Sequence, residues 1–192
     1  MQNISQRTRL LTEAGLLIAL ALVLDYISGL LPRIWAQGGS LNLAYLPIIL
    51  YSVRNFSKPH GAIFSLLVGL ISRGMVMLWA GGIYHPLSAV LDYLLIGLIF
   101  GAIGVVTKFK LGDFTECSIV VFGLLALFSH VVSGVVLFAA YMPDVYFGME
   151  MTNAWFYSLL YNMTHMVPSI ILAVFLYALL PKNLKVYSSL PA

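Results

Sequence analysis

Charge is scarce in this 192-residue chain: only 9% of its residues are Asp, Glu, Lys or Arg. A water-soluble domain carries about 25% charged residues, so the composition excludes a chain that covers itself with a polar surface. With 61% hydrophobic residues and a mean hydropathy of +0.97, the lipid bilayer is its natural solvent. Cysteine is nearly absent. The lone Cys117 excludes an intramolecular disulfide and a multi-cysteine metal site. A net charge of +3, scattered along the chain, argues against a nucleic-acid partner. There is no Walker lysine loop, nucleophile elbow, pair of carboxylates or HExxH, and the histidine spacing supports no metal site. No cofactor and no enzymatic activity are therefore expected. The length fits one compact domain over 1–192, without an appended catalytic domain.

Long apolar runs are abundant instead. Crossing the hydrocarbon core takes about 20 apolar residues, and candidate spans are 9–31, 41–57, 61–80, 86–107, 116–141 and 154–180. Arg7 and Arg9 ahead of an apolar run resemble a signal peptide. That run is longer than a signal's apolar region, however, and no small-residue cleavage pattern follows, so it reads as a first transmembrane helix. Turn chemistry separates the spans: Pro32 with 38-GGS-40, 57-SKPHG-61, 81-GG-82, 108-KFKLGD-113 and the polar run from Pro143 to Asn153. Eight of the ten basic residues (Arg7, Arg9, Arg54, Lys58, Lys108, Lys110, Lys182 and Lys185) flank alternate loops or termini. That bias places them on the cytoplasmic side. The expected fold is an all-α integral membrane protein: a compact bundle of six transmembrane helices with both termini cytoplasmic.

Ionisable residues inside such spans cost about 2.5–3.5 kcal/mol on insertion scales and are functional candidates by default. Glu13 lies near enough to a helix end to reach water. Asp25 and Arg73 lie toward the outer ends of their spans, where a mutual salt bridge or interface solvation accounts for them. Asp92, in 83-IYHPLSAVLDYLL-95, follows His85 by seven residues and Ser88 by four, which predicts one shared helix face. Tyr84 and Tyr93 flank this set. The carboxylate either pairs with Arg73 or a histidine for packing, or faces a ligand.

Two further segments bring polar and aromatic groups to a face. In 129-SHVVSGVVLF-138, His130, Gly134 and Phe138 recur at i, i+4, i+8, and Gly134 would let a flat ligand approach the backbone; close helix packing uses the same pattern. In 155-WFYSLLYNMTHMVPS-169, Tyr157, Tyr161 and His165 form one row and Ser158 and Asn162 the next. A carboxylate among aromatic rings suits a small, flat cation, each ring attracting it by roughly 0.5–2 kcal/mol. Neutral heteroaromatic ligands fit the same walls.

The runs 36-AQGGSLNLAYLPI-48, 85-HPLSAVLDY-93, 130-HVVSGVVLF-138 and 155-WFYSLLYNMTHMVPS-169 together resemble the thiamine-specific substrate-binding (S) component of energy-coupling factor (ECF) transporters, the ThiT/YuaJ-like family. The resemblance implies a six-helix bundle in the bacterial plasma membrane that binds thiamine from outside. Carried over by motif, it implies ligand roles for Asp92, Tyr93, His130, Gly134, Tyr157 and Asn162, and a tryptophan lid at Trp35. Aromatic stacking falls to Phe138, where some members carry tryptophan, while some carry glutamate where Asp92 stands. These departures leave a related vitamin or precursor open as the ligand. In the first helix, Gly15 and Ala19 are spaced small-xxx-small, beside Ala14 and Ala21. The family docks a transmembrane coupling subunit, which carries two ATPases, on such a face; packing within the bundle uses it equally. A stand-alone proton-coupled carrier and an intramembrane enzyme using His130 and Asp92 are the competing classes.

Overall fold

The computed structural model describes residues 2–31, 39–79, 85–109 and 114–185. The chain is a helical bundle. Helix α1 (Gln2–Leu30) is followed by α2 (Tyr45–Asn55) and α3 (Gly61–Trp79). Helix α4 (86–102) runs in three parts: an α-helical turn Pro86–Ser88, a π-helical segment Ala89–Leu94 and an α-helical part Leu95–Ala102. A short α5 (Val105–Lys108) leads to α6 (Thr115–Phe138). A two-stranded antiparallel hairpin, β1 (Val145–Tyr146) and β2 (Met149–Glu150), separates α6 from α7 (Ala154–Leu179), and α8 (Lys182–Lys185) follows.

Among the described residues, five helical stretches are long and apolar enough to cross a membrane: Gln6–Leu30, Gly61–Leu78, Pro86–Thr107, Thr115–Tyr141 and Ala154–Leu179. Their outward faces are oily, with Leu16, Leu30, Leu78, Phe128 and Ile171 all exposed. Lipid removes the cost that water would impose on such a surface.

The expected span 41–57 comes out differently. Its helix has 11 residues, about 16 Å at 1.5 Å per residue, too short to cross alone. Eight of those residues are buried, so α2 is the centre of the bundle rather than part of its wall. Tyr45, Ile48, Ile49 and Val53 pack with Ile96, Phe100 and Ile103 of α4, Ile119 and Ala126 of α6, and Met166 and Ala173 of α7. Pro47 is tolerated because it sits in the first turn, where its missing N–H has no helical acceptor.

Glycines let α3 and α4 approach closely. A Cβ on Gly69 of α3 would lie 1.9 Å from the carbonyl oxygen of Gly97 on α4, and one on Gly97 would lie 2.3 Å from that of Gly69. The two backbones therefore touch directly, as small residues allow in lipid. Ser52 ties α2 to the same place, donating to Gly101 O at 2.6 Å and accepting from Gly104 N at 2.8 Å.

Candidate functional site

The π-helical segment Ala89–Leu94 decides where Asp92 points. A π turn inserts extra chain into the helical repeat and shifts the phase of everything before it. The expected common face of His85, Ser88 and Asp92 is therefore not formed. His85 is exposed and caps α4, its Nδ1 accepting from Leu87 N at 3.1 Å, while Ser88 turns inward and its hydroxyl donates to His85 O at 2.8 Å. Asp92 and Tyr93 line a cavity of about 500 Å³, within the usual range for small-ligand sites.

In that cavity Asp92 is held from α6. His130 Nδ1 lies 3.0 Å from Oδ1, and Ser133 Oγ donates to Oδ2 at 2.7 Å. A carboxylate only accepts, so Nδ1 of His130 is the donor in this contact. Ser129, one turn earlier, donates to Leu91 O at 2.7 Å and secures the π segment against α6.

Helix α7 supplies the opposite wall. Tyr157, Tyr161 and His165 line the cavity as one row, joined by ring contacts of 6.1 and 6.0 Å, and His165 meets His130 edge-on at 5.7 Å. Nδ1 of His165 is buried. Asn162 donates through Nδ2 to Ser158 O at 2.8 Å, which leaves Oδ1 as the acceptor it can offer. The hairpin buttresses this wall: Tyr146 packs edge-on against Tyr157 at 5.3 Å. Burial pushes the Tyr146 phenol up from its ordinary value, and Tyr157 and Tyr161 push it the same way.

The third wall comes from the segment 39–44 with α2 and α3. Gly39, Ser40, Asn42, Tyr45 and Arg73 all line the cavity. Asn42 N donates to Ser169 Oγ at 2.9 Å and Leu43 N to Ser28 Oγ at 2.9 Å, which pins the segment between α7 and α1. The expected partnership of Asp25 and Arg73 is present: Arg73 donates to Asp25 Oδ1 at 2.9 Å. Glu13 is paired as well, 2.9 Å from Nε of Arg54. That pair lies beside a second hollow of about 630 Å³, lined by Thr8, Thr12 and Leu16 and, among its described lining residues, without an aromatic ring. A flat cation finds no stacking surface there.

Of the residues expected at the site, Asp92, Tyr93, His130, Gly134, Phe138, Tyr157 and Asn162 converge on the cavity. His85 stands apart, and Trp35 and Tyr84 lie outside the described residues. Of the expected docking set, Gly15 and Ala19 are exposed on α1, whereas Ala14 is turned into the bundle against Tyr51 and Val68. Ser133, Tyr45 and Asn42 also line the cavity, beyond the residues that the sequence pattern points to. Ser133 falls one residue before Gly134 on a helix already read as a site face, which was the available signal.

Residues 11–188 match the protein family described as Thiamine transporter protein (Thia_YuaJ). The thiamine transporter ThiT of Bacillus subtilis is 33% identical over 192 aligned residues, covering 93% of each chain. ThiT of Lacticaseibacillus paracasei is 27% identical over 165 residues, covering 78% of this chain and 75% of that one. The solved structure of ThiT from Listeria monocytogenes has a TM-score of 0.74 at 20% identity, over 94% of this chain and 99% of that one. At that identity the likeness speaks for the fold.

Proposed function

The chain belongs to the thiamine transporter protein family, and from that membership we propose that it captures thiamine in the Asp92 cavity as the S component of an ECF importer. It is a membrane transport protein, not an enzyme. The observation that carries the reading is a carboxylate, oriented by His130 and Ser133, among Tyr93, Tyr157, Tyr161 and Phe138. The thiazolium cation gains direct charge attraction from Asp92, strengthened by the low dielectric of the bundle, and stacks on aromatic faces. The neutral aminopyrimidine carries donors and acceptors suited to Asn162 Oδ1, His130 Nε2 and the Tyr157 hydroxyl.

The chain forms a single membrane domain of six helices, in which the non-helical segment 39–44 and the short α2 together complete the second crossing, and both termini face the cytoplasm. The bias of basic residues supports that orientation. The exposed small residues Gly15 and Ala19 of α1 receive the transmembrane coupling subunit, to which two ATPases attach. Gly15 supports this, since among the described residues no atom beyond its own stretch of helix lies within 4 Å of where its Cβ would be.

Reconstitution tests the assignment. Liposomes holding this chain alone should bind thiamine without accumulating it, and accumulation should require the coupling subunit, the ATPases and ATP. Accumulation by the chain alone would make it a self-contained carrier, and displacement of thiamine by a pyridoxine-like compound at equal concentration would move the specificity elsewhere.

A further inference from the structure

Arg73 is an odd neighbour for a cation. It lines the cavity, is 5% exposed, and sets its guanidinium over the rings of Tyr45 at 5.5 Å and Tyr93 at 5.6 Å. Its Nε is buried and, among the described residues, has no hydrogen-bond partner. Placed there alone, this charge would repel a thiazolium and occupy the aromatic faces that would otherwise attract one.

Asp25 answers this charge from outside the lining. Its Oδ1 accepts from Arg73 at 2.9 Å and from Asn42 Nδ2 at 3.2 Å. Among the described lining residues, the formally charged side chains are Arg73 and Asp92, and those two cancel. Counting Asp25 behind Arg73 brings the sum, with both histidines neutral, to one negative charge. That sum is the complement of a monocation.

We infer that Asp25 is a specificity-determining positioning residue: by neutralising Arg73 it leaves the cavity one net negative charge and selects a monocationic ligand over a neutral one of the same shape. This rests on the reading of the cavity as a thiamine site. Stability alone is a poor reason to keep such a pair, because a buried ion pair often does no better than apolar residues of equal volume. In a membrane bundle the pair also requires two costly insertions, which makes function the default reading. A unit charge several ångströms away, at an effective dielectric of about 20, changes affinity on the order of tenfold or more. Asp25 therefore acts on the ligand through Arg73, without touching it.

The test uses two ligands that differ only in charge: thiamine, and its neutral isostere in which the thiazolium nitrogen is replaced by carbon. Calorimetry on the detergent-solubilised chain gives the ratio of their dissociation constants. Asp25→Asn should cut the preference for thiamine about tenfold, Arg73→Gln should raise it, and the double variant should return it close to the wild-type value. Equal loss of both ligands in Asp25→Asn, or a ratio that none of the variants moves, would reduce the pair to a structural tie between α1 and α3 and overturn the inference. Should Asp25→Asn fail to fold, Arg73→Gln and the double variant still decide the sign. Failure of the wild-type chain to bind thiamine would instead overturn the underlying function.

Discussion

Gly134 of α6 and Ser158 of α7 occupy one place between their helices. A Cβ at 134 would lie 2.1 Å from Ser158 Oγ and 3.0 Å from its Cβ. The space that the sequence suggested for a ligand is thus taken in part by a neighbouring helix. Ser158 cannot simply swing away, because its hydroxyl donates to Val131 O at 2.9 Å and accepts from Asn162 at 3.2 Å. Gly134→Ala should therefore separate α6 from α7 and lower stability by about 1–3 kcal/mol, the usual range for overpacking. Thermal unfolding in detergent measures this. Unchanged unfolding would show that the helices have slack the geometry denies.

Gly39 makes a second such contact. Its missing Cβ would lie 2.7 Å from both Cγ and Nδ1 of His165, so the segment 39–44 rests on the imidazole. Gly39→Ala should push that segment off the cavity and speed thiamine release about tenfold, which corresponds to a loss of about 1.4 kcal/mol. Stopped-flow fluorescence follows the release. His165→Ala should relieve the clash, so the two substitutions together should cost less stability than the sum of the singles. Strict additivity would contradict the contact.

The turn between α2 and α3 carries a pH dependence. Burial pushes the Lys58 ammonium down to about 8 from 10.5; Glu13 opposes this, and Arg9 and Arg54 add to it. Between those values the unfolded chain holds more protons than the folded one, so stability rises with pH. The penalty is fully present below about 8 and gone above 10.5. The melting temperature of the wild type, relative to Lys58→Met, should climb from pH 8 to pH 10. A flat difference would mean that Lys58 is solvated.

Much of this architecture is legible in the residues. Apolar run length marks the long helices, and helical spacing on a single unbroken helix groups Tyr157 with Tyr161 and His165, and His130 with Gly134 and Phe138. Spacing fails at α4, because it assumes a constant 3.6-residue repeat and the π segment breaks it between His85 and Asp92. It also mistakes α2 for a wall helix: Tyr45–Asn55 is apolar because protein surrounds it, and hydropathy does not distinguish protein from lipid. The Asp25–Arg73 pair is foreshadowed by both residues lying toward the same end of their spans. Asn42 and Gly39 are harder to foresee, since their positions depend on the irregular segment 39–44 being held by Ser28 and Ser169.

Thiamine titration of Asp92 variants tests the central claim most directly. Isothermal calorimetry on the purified wild-type chain should show one thiamine per chain. Asp92→Asn keeps the side-chain shape and the bond from Ser133 but removes the charge, and should weaken binding by about 30-fold or more, as expected for loss of a desolvated charge interaction of about 2–5 kcal/mol. Asp92→Glu restores the charge and should recover part of that loss. Equal affinity of Asp92→Asn and wild type would contradict the account.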